Sequence, residues 1–209
     1  MHKRQALAGT SSAVNKIMAY RYQSFKLTPV WVIIAMNFLL FIVTLIAPSL
    51  IYSLFGLQPA VFLFKPWTLV TNIFIHASFG HIIANMLTLY FFGTFLSRLI
   101  GDKKFLWVYF GGGILGNILF IIISLVTSPF SIAVGASGAI FALCGTLVVL
   151  RPQLRVYLFF LIPTPLWLAI IGGFIILSFF PNVAWQAHLG GLIFGLIVGY
   201  FFRKRESYY

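Results

Sequence analysis

From residue 30 to residue 202 the chain is a succession of long apolar runs, broken only by short clusters of Lys, Arg, Pro and Gly. No water-soluble core has room for that much apolar sequence. Soluble domains carry about a quarter charged residues, whereas this chain has 8%, with 61% hydrophobic residues and a mean hydropathy of +1.05. Its solvent is a bilayer. At roughly 20 residues per crossing, the apolar length predicts an all-α polytopic bundle of about six helices, near 30–48, 80–99, 105–127, 136–150, 156–179 and 185–202. The stretch 52–75 is aromatic and contains Pro59, Lys65, Pro66 and Trp67. It reads as a long interfacial loop, since aromatic side chains favour the headgroup level.

The net charge of +12 does not point to nucleic acid, because the basic residues fall between apolar runs and form no patch with interleaved polar aromatics. They act instead as topology signals. With the N-terminus in the cytosol, Arg98, Lys103, Lys104, Arg151, Arg155, Arg203, Lys204 and Arg205 all lie on the cytosolic side, and Lys65 alone lies outside. Such asymmetry is what the positive-inside rule requires of six spans with both termini cytosolic. The domain reading is a cytosolic basic segment at 1–29, a membrane domain at 30–202 and a short cytosolic tail at 203–209. The leader, with Lys3, Arg4, Lys16, Arg21 and Lys26, lacks the pattern of a cleavable signal and reads as a solvated tail near anionic lipid. A single cysteine, Cys144, excludes a disulfide or a Cys-based metal framework and reads as packing.

Polar side chains inside a span are costly and point to function by default. Helical rise, about 1.5 Å per residue, gives their depth. Ser137 lies about 21 Å from Arg151, His188 about 22 Å from Arg203 and Asn85 about 20 Å from Arg98, all on that rise. Three helices thus set polar groups in one layer toward the outer leaflet. A lone intramembrane Ser usually bonds to backbone, and a lone His has an even chance of being structural. At matched depth they describe a nucleophile and its general base. His81 and Asn85 share a helix face and can donate hydrogen bonds to an oxyanion.

The only acidic residues, Asp102 and Glu206, fall at cytosolic helix ends, so no carboxylate completes a triad. Packing must then orient His188. Phe141, one turn from Ser137, is a candidate platform and equally a core residue. An aspartyl intramembrane protease needs two embedded Asp residues, and a metalloprotease shows His-Glu-x-x-His; the chain has neither pattern. Small residues recur at Gly111, Gly112, Gly113 and Gly116, where they read as ordinary packing. Gly138, Ala142, Gly191 and Gly195 flank the polar residues, and there close approach also brings side chains together.

Three motifs in order, His76-x4-His81-x3-Asn85, Gly135-Ala136-Ser137-Gly138 and Ala187-His188-Leu189-Gly190-Gly191 with Gly195, resemble the rhomboid intramembrane proteases over about residues 30–202. The resemblance implies a six-helix rhomboid-like bundle, a Ser137–His188 dyad, and an oxyanion hole formed by His81, Asn85 and the Ser137 amide. Gly135, Gly138, Gly191 and Gly195 support the site. His76 matches the family's additional histidine near a water-filled cavity, or is an interfacial histidine without a catalytic part. The implied substrates are single transmembrane helices in the lipid bilayer, cut near the outer face after local unwinding, commonly beside small residues. The implied setting is a bacterial plasma membrane, and neither a metal nor another cofactor is implied. Thr68 stands where the family often has Arg, and Ser97 where it often has Glu, which bears on loop anchoring rather than on the dyad. Span 5, with Pro163, Pro165 and Gly172-Gly173, is a candidate gate for sideways entry. The rival class is non-enzymatic: a pseudoprotease that binds client helices, or a transporter, although the inverted repeats expected of a transporter are not visible.

Overall fold

A computed structural model describes residues 27–158, 161–181 and 183–206. The expected basic leader, apart from residues 27–29, and the last three residues of the expected tail lie outside the described residues. Helix α1 (Pro29–Ile46) opens with a proline in its first turn, where the missing N–H costs nothing. It ends as Ala47 leaves the helical region ahead of Pro48, which starts α2 (Pro48–Phe55). Short turns follow at Pro59–Phe64, α3 (Thr68–Thr71) and Asn72–Phe74. A long rod then runs through α4 (Phe79–Thr88), a π-helical turn at Leu89–Gly93, and α5 (Thr94–Ile100). Beyond Gly101, at φ +85°, comes α6 (Asp102–Thr127). The remaining elements are α7 (Ser137–Leu150), a hairpin of β1 (Arg155–Leu158) and β2 (Ile162–Pro165), α8 (Leu166–Ser178) and α9 (Trp185–Glu206).

Among the described residues, four helices are long and apolar enough to cross a bilayer: Pro29–Ile46, Phe79–Ile100, Asp102–Thr127 and Trp185–Lys204. The protein is a helical membrane protein. Two further apolar helices, α7 and α8, are shorter. The expected span at 156–179 needs correction, because the stretch before Leu166 is an antiparallel hairpin pairing Arg155 with Pro165 and Leu158 with Ile162. Proline explains this. Pro163 and Pro165 lack the N–H that an interior helical turn requires, and each biases the preceding residue toward extended backbone, so the helix starts only at Leu166.

Helix α7 is the centre of the bundle. Every residue from Gly138 to Leu147 is buried, as befits a helix that is apolar on all sides. It packs on α9 and α6 through small residues: a Cβ at Gly191 would overlap the Gly138 carbonyl, one at Gly195 the Ala142 carbonyl, and one at Gly112 the Ala142 side chain. Thr146 Oγ1 ties the pair further, donating either to Ala142 O (2.9 Å) within α7 or across to Gly195 O (3.0 Å) on α9. By contrast α8 is loosely held. Only Leu166 in it is buried, and a Cβ at Gly172 or Gly173 would meet nothing within 4 Å.

Side-chain hydrogen bonds tie the first loop to the end of α2. Lys65 Nζ donates to Ser53 O (2.7 Å), Trp67 Nε1 to Leu54 O (2.8 Å) and Thr71 Oγ1 to Phe55 O (3.1 Å). Thr68 is buried and its hydroxyl donates to Lys65 O at 2.6 Å. Ser97 is also buried, and its hydroxyl donates to the Asp102 carboxylate across the α5–α6 turn.

Candidate active site

Ser137 is the first residue of α7, and the sequence before it explains why the helix begins there. Gly135 has φ +119°, a conformation that side-chain-bearing residues rarely adopt. It also lies so close to the His81 ring that a Cβ would stand 2.7 Å from Cε1 and Nε2. One glycine thus turns the chain and admits the imidazole. At the other end, α7 stops at Arg151, which leaves helical geometry ahead of Pro152. A helix of 14 residues is about 21 Å long, short of the roughly 30 Å hydrocarbon layer. Its first N–H groups have no acceptor within the helix, and the Ser137 amide is one of them.

His188 lies in the first turn of α9, buried, with Nε2 2.7 Å from Ser137 Oγ. At that distance an imidazole can take the hydroxyl proton. The opposite ring nitrogen, Nδ1, is buried with no partner among the described residues. The ring is held by packing instead: Phe141 stacks on it with centroids 4.8 Å apart and planes 26° apart. Phe141 in turn meets Phe174 of α8 edge-on at 6.1 Å. The depth of His188 is set by glycine contacts on two sides, since a Cβ at Gly138 would come 3.2 Å from Ala187 O and one at Gly116 would overlap the same carbonyl. Gly116, read from the sequence as ordinary packing, therefore helps to place the histidine.

His81 and Asn85 project from α4, whose N-cap is Ser78; the Ser78 hydroxyl accepts from His81 N at 3.2 Å. Asn85 is buried and its Nδ2 donates to His81 O at 2.9 Å, leaving the second amide hydrogen for a ligand. Ser137, His188, His81 and Asn85 line a single cavity of about 430 Å³, walled by Ile140 and Phe141 of α7 and by Ile170 and Leu177 of α8. His76 is not in that wall. It is fully buried behind His81, ring centroids 4.9 Å apart, and neither of its nitrogens has a partner among the described residues. Burial first and the neighbouring His81 second hold its pKa down to about 3, against the smaller opposite pull of the Phe74 backbone. It is neutral at pH 7. Among the described residues no three His, Cys, Asp or Glu side chains converge as a metal site.

The sequence reading passed over two buried amides that support this site. Asn72 and Asn117 form a reciprocal pair, Nδ2 to Oδ1 at 3.1 and 2.7 Å, and Asn117 Nδ2 can also donate to Leu69 O at 2.8 Å. The Asn72 carbonyl accepts from Gly135 N at 2.9 Å, so the amide pair on α6 and the first loop braces the turn that launches Ser137. The signal was available. Asn117 lies 14 positions from Lys103, about 21 Å on the helical rise, in the same layer as the other polar groups. Asn117→Ala leaves the buried Asn72 amide without its partner, and is expected to lower unfolding free energy by about 1–3 kcal/mol. Denaturation in detergent micelles measures this, and a change below about 0.5 kcal/mol, the range of inert surface substitutions, would show that the pair bears no weight.

A helical membrane protein with a serine and a histidine in hydrogen-bond contact inside the bundle defines a class, and comparison with known proteins gives the family. The rhomboid domain model matches residues 63–205. The Bacillus subtilis protein named "Putative rhomboid protease YdcA" is 34% identical over 155 residues, covering 68% of this chain and 71% of that protein. RHOMBOID-like protein 12, mitochondrial, of Arabidopsis thaliana is 36% identical over 143 residues, 59% of this chain and 43% of its own length. Rhomboid protease GluP of Bacillus subtilis is 36% identical over 133 residues, 62% of this chain and 24% of that protein. The chain belongs to the rhomboid family. It spans less than half of the last two relatives.

Proposed function

We propose that this protein is an intramembrane serine endopeptidase that cleaves transmembrane substrates near the outer face of a bacterial plasma membrane. The observation that carries the reading is the 2.7 Å contact between Ser137 Oγ and His188 Nε2. As Oγ attacks the scissile carbonyl, Nε2 takes its proton, and the C–N bond then breaks as the same nitrogen gives that proton to the leaving amine. Water, deprotonated by Nε2, hydrolyses the acyl-enzyme and restores the hydroxyl. The oxyanion of each tetrahedral intermediate is met by the Ser137 N–H, the His81 ring and the second amide hydrogen of Asn85. Phe141 supplies the orientation that a carboxylate supplies in a triad.

In this reading the membrane domain has six spans, with α7 and α8 as the short ones, and both termini are cytosolic. The shortness of α7 supports a site sunk below the outer surface yet reachable by water. Sparse packing of α8 supports sideways entry of a substrate helix past it, the glycines at 138, 191 and 195 keep the two catalytic helices in contact, and Gly135 makes room for the His81 ring beside Ser137. A client-binding protein without catalysis has no need of a proton-sharing Ser–His contact. A serine-directed fluorophosphonate tests the reading: mass spectrometry is expected to find the adduct on Ser137, and labelling is expected to vanish in His188→Ala. Equal labelling of both proteins, or adducts only on other serines, would overturn it.

A further inference from the structure

At the opposite end of the bundle from Ser137, the first turns of α6 and the last turns of α9 enclose a groove of about 400 Å³. One wall carries Lys103, Lys104 and Trp107, with Trp107 four residues after Lys103 and three after Lys104 and so a helix-surface neighbour of both. The facing wall is an apolar stripe of α9, Phe194, Val198 and Phe201. The groove has a structural cause. Toward the site the two helices close on small residues, and a Cβ at Gly111 would already press to 2.8 Å from the Phe194 ring. Below Gly111 no glycine remains on α6 and large side chains hold the helices apart.

We infer that this groove binds one anionic phospholipid, with its phosphate at Lys103 and Lys104 and the upper part of an acyl chain along Trp107, Val198 and Phe201. Charge complementarity selects the head. Lys104 Nζ sits 5.3 Å from the centroid of the Phe202 ring, so the cation is held over the groove's aromatic edge rather than extended into solvent. Arg203 and Lys204, exposed in the next turn of α9, add positive charge at the same end, while the nearby Asp102 carboxylate is engaged by Ser97. A zwitterionic choline lipid brings its own cation to this cluster and is disfavoured. The apolar walls select the tail. Trp107 is 76% and Phe201 59% exposed, so the groove opens sideways toward hydrocarbon, and a free phosphate would leave those walls uncovered. Basic pockets between transmembrane helices recognise anionic headgroups on this principle.

The test needs no protease activity. The full chain in detergent is titrated with phosphatidylglycerol or phosphatidylcholine of the same acyl chains, and bound lipid is counted by native mass spectrometry. One phosphatidylglycerol is expected to bind in preference to phosphatidylcholine. Lys103→Gln with Lys104→Gln is expected to weaken it about 25-fold, at roughly fivefold per lysine. Arg98→Gln with Arg151→Gln removes the same charge from the same membrane face outside the groove, and is expected to change binding less than about twofold, the range of a weakly coupled surface charge. Val198→Trp fills the groove without altering charge and is expected to displace the lipid, with helix content and unfolding midpoint reporting that each variant is folded. Equal binding of the two lipids, or equal losses in the two charge-removal variants, would overturn the inference. So would full displacement by glycerol phosphate at matched concentration, since a headgroup alone would then satisfy the site.

Discussion

His188→Ala is expected to slow cleavage of a transmembrane substrate by at least about 10³-fold while the bundle stays folded. Losses of this order follow when a nucleophile's base is removed. The argument is local: Nε2 lies 2.7 Å from Ser137 Oγ, and no other titratable side chain within the described structure is paired with that hydroxyl. His81, the nearest other imidazole on the cavity wall, has its ring packed against Gly135. Because the hydroxyl and the imidazole act as one unit, a Ser137→Ala and His188→Ala double variant is expected to lose no more than either single one. Single-turnover rates with a fluorogenic membrane substrate measure all three. Additive losses, or a His188→Ala rate within tenfold of the unaltered protein, would mean that the contact does not carry the chemistry.

Gly195→Ala is expected to be among the most damaging single-methyl changes in the bundle. Its new Cβ would overlap the backbone carbonyl of Ala142, and backbone, unlike the tip of a flexible side chain, cannot yield. Helix α9 must then move off α7, at a cost of about 1–3 kcal/mol or more for overpacking, and the motion draws His188 away from Ser137. Gly172→Ala adds the same methyl to α8, where nothing lies within 4 Å, and is expected to be neutral to within about 1 kcal/mol, alanine being the better helix former. Unfolding midpoints of the two variants in detergent decide the matter, and similar midpoints would refute the account of the α7–α9 contact.

That the polar residues could meet was readable from the chain, and the direction each side chain takes was not. Counting helical rise from the basic ends put Ser137, His188 and Asn85 in one layer, and these residues with His81 line one cavity. Rise alone does not say which way a side chain points, so the stack of Phe141 on His188 and the retreat of His76 behind His81 needed coordinates. The same count overlooked Asn117, because an amide in a glycine-rich helix reads as packing until its partner, Asn72, is seen across the fold. Apolar length misjudged the stretch before Leu166, where hydropathy continues through a hairpin that two prolines impose. Polar substitutes were also opaque: Ser97 at a helix turn and Thr68 in the first loop gain meaning only from the groups their hydroxyls reach.

The central claim is that one hydroxyl inside the bundle performs peptide-bond hydrolysis, and its most direct measurement is proteolysis in reconstituted vesicles. The unaltered protein and Ser137→Ala are placed in liposomes with a single-pass substrate, and products are sized by mass spectrometry. The account predicts cleavage near the substrate's outer membrane boundary by the unaltered protein and none by Ser137→Ala. Equal cleavage by the two proteins would contradict it.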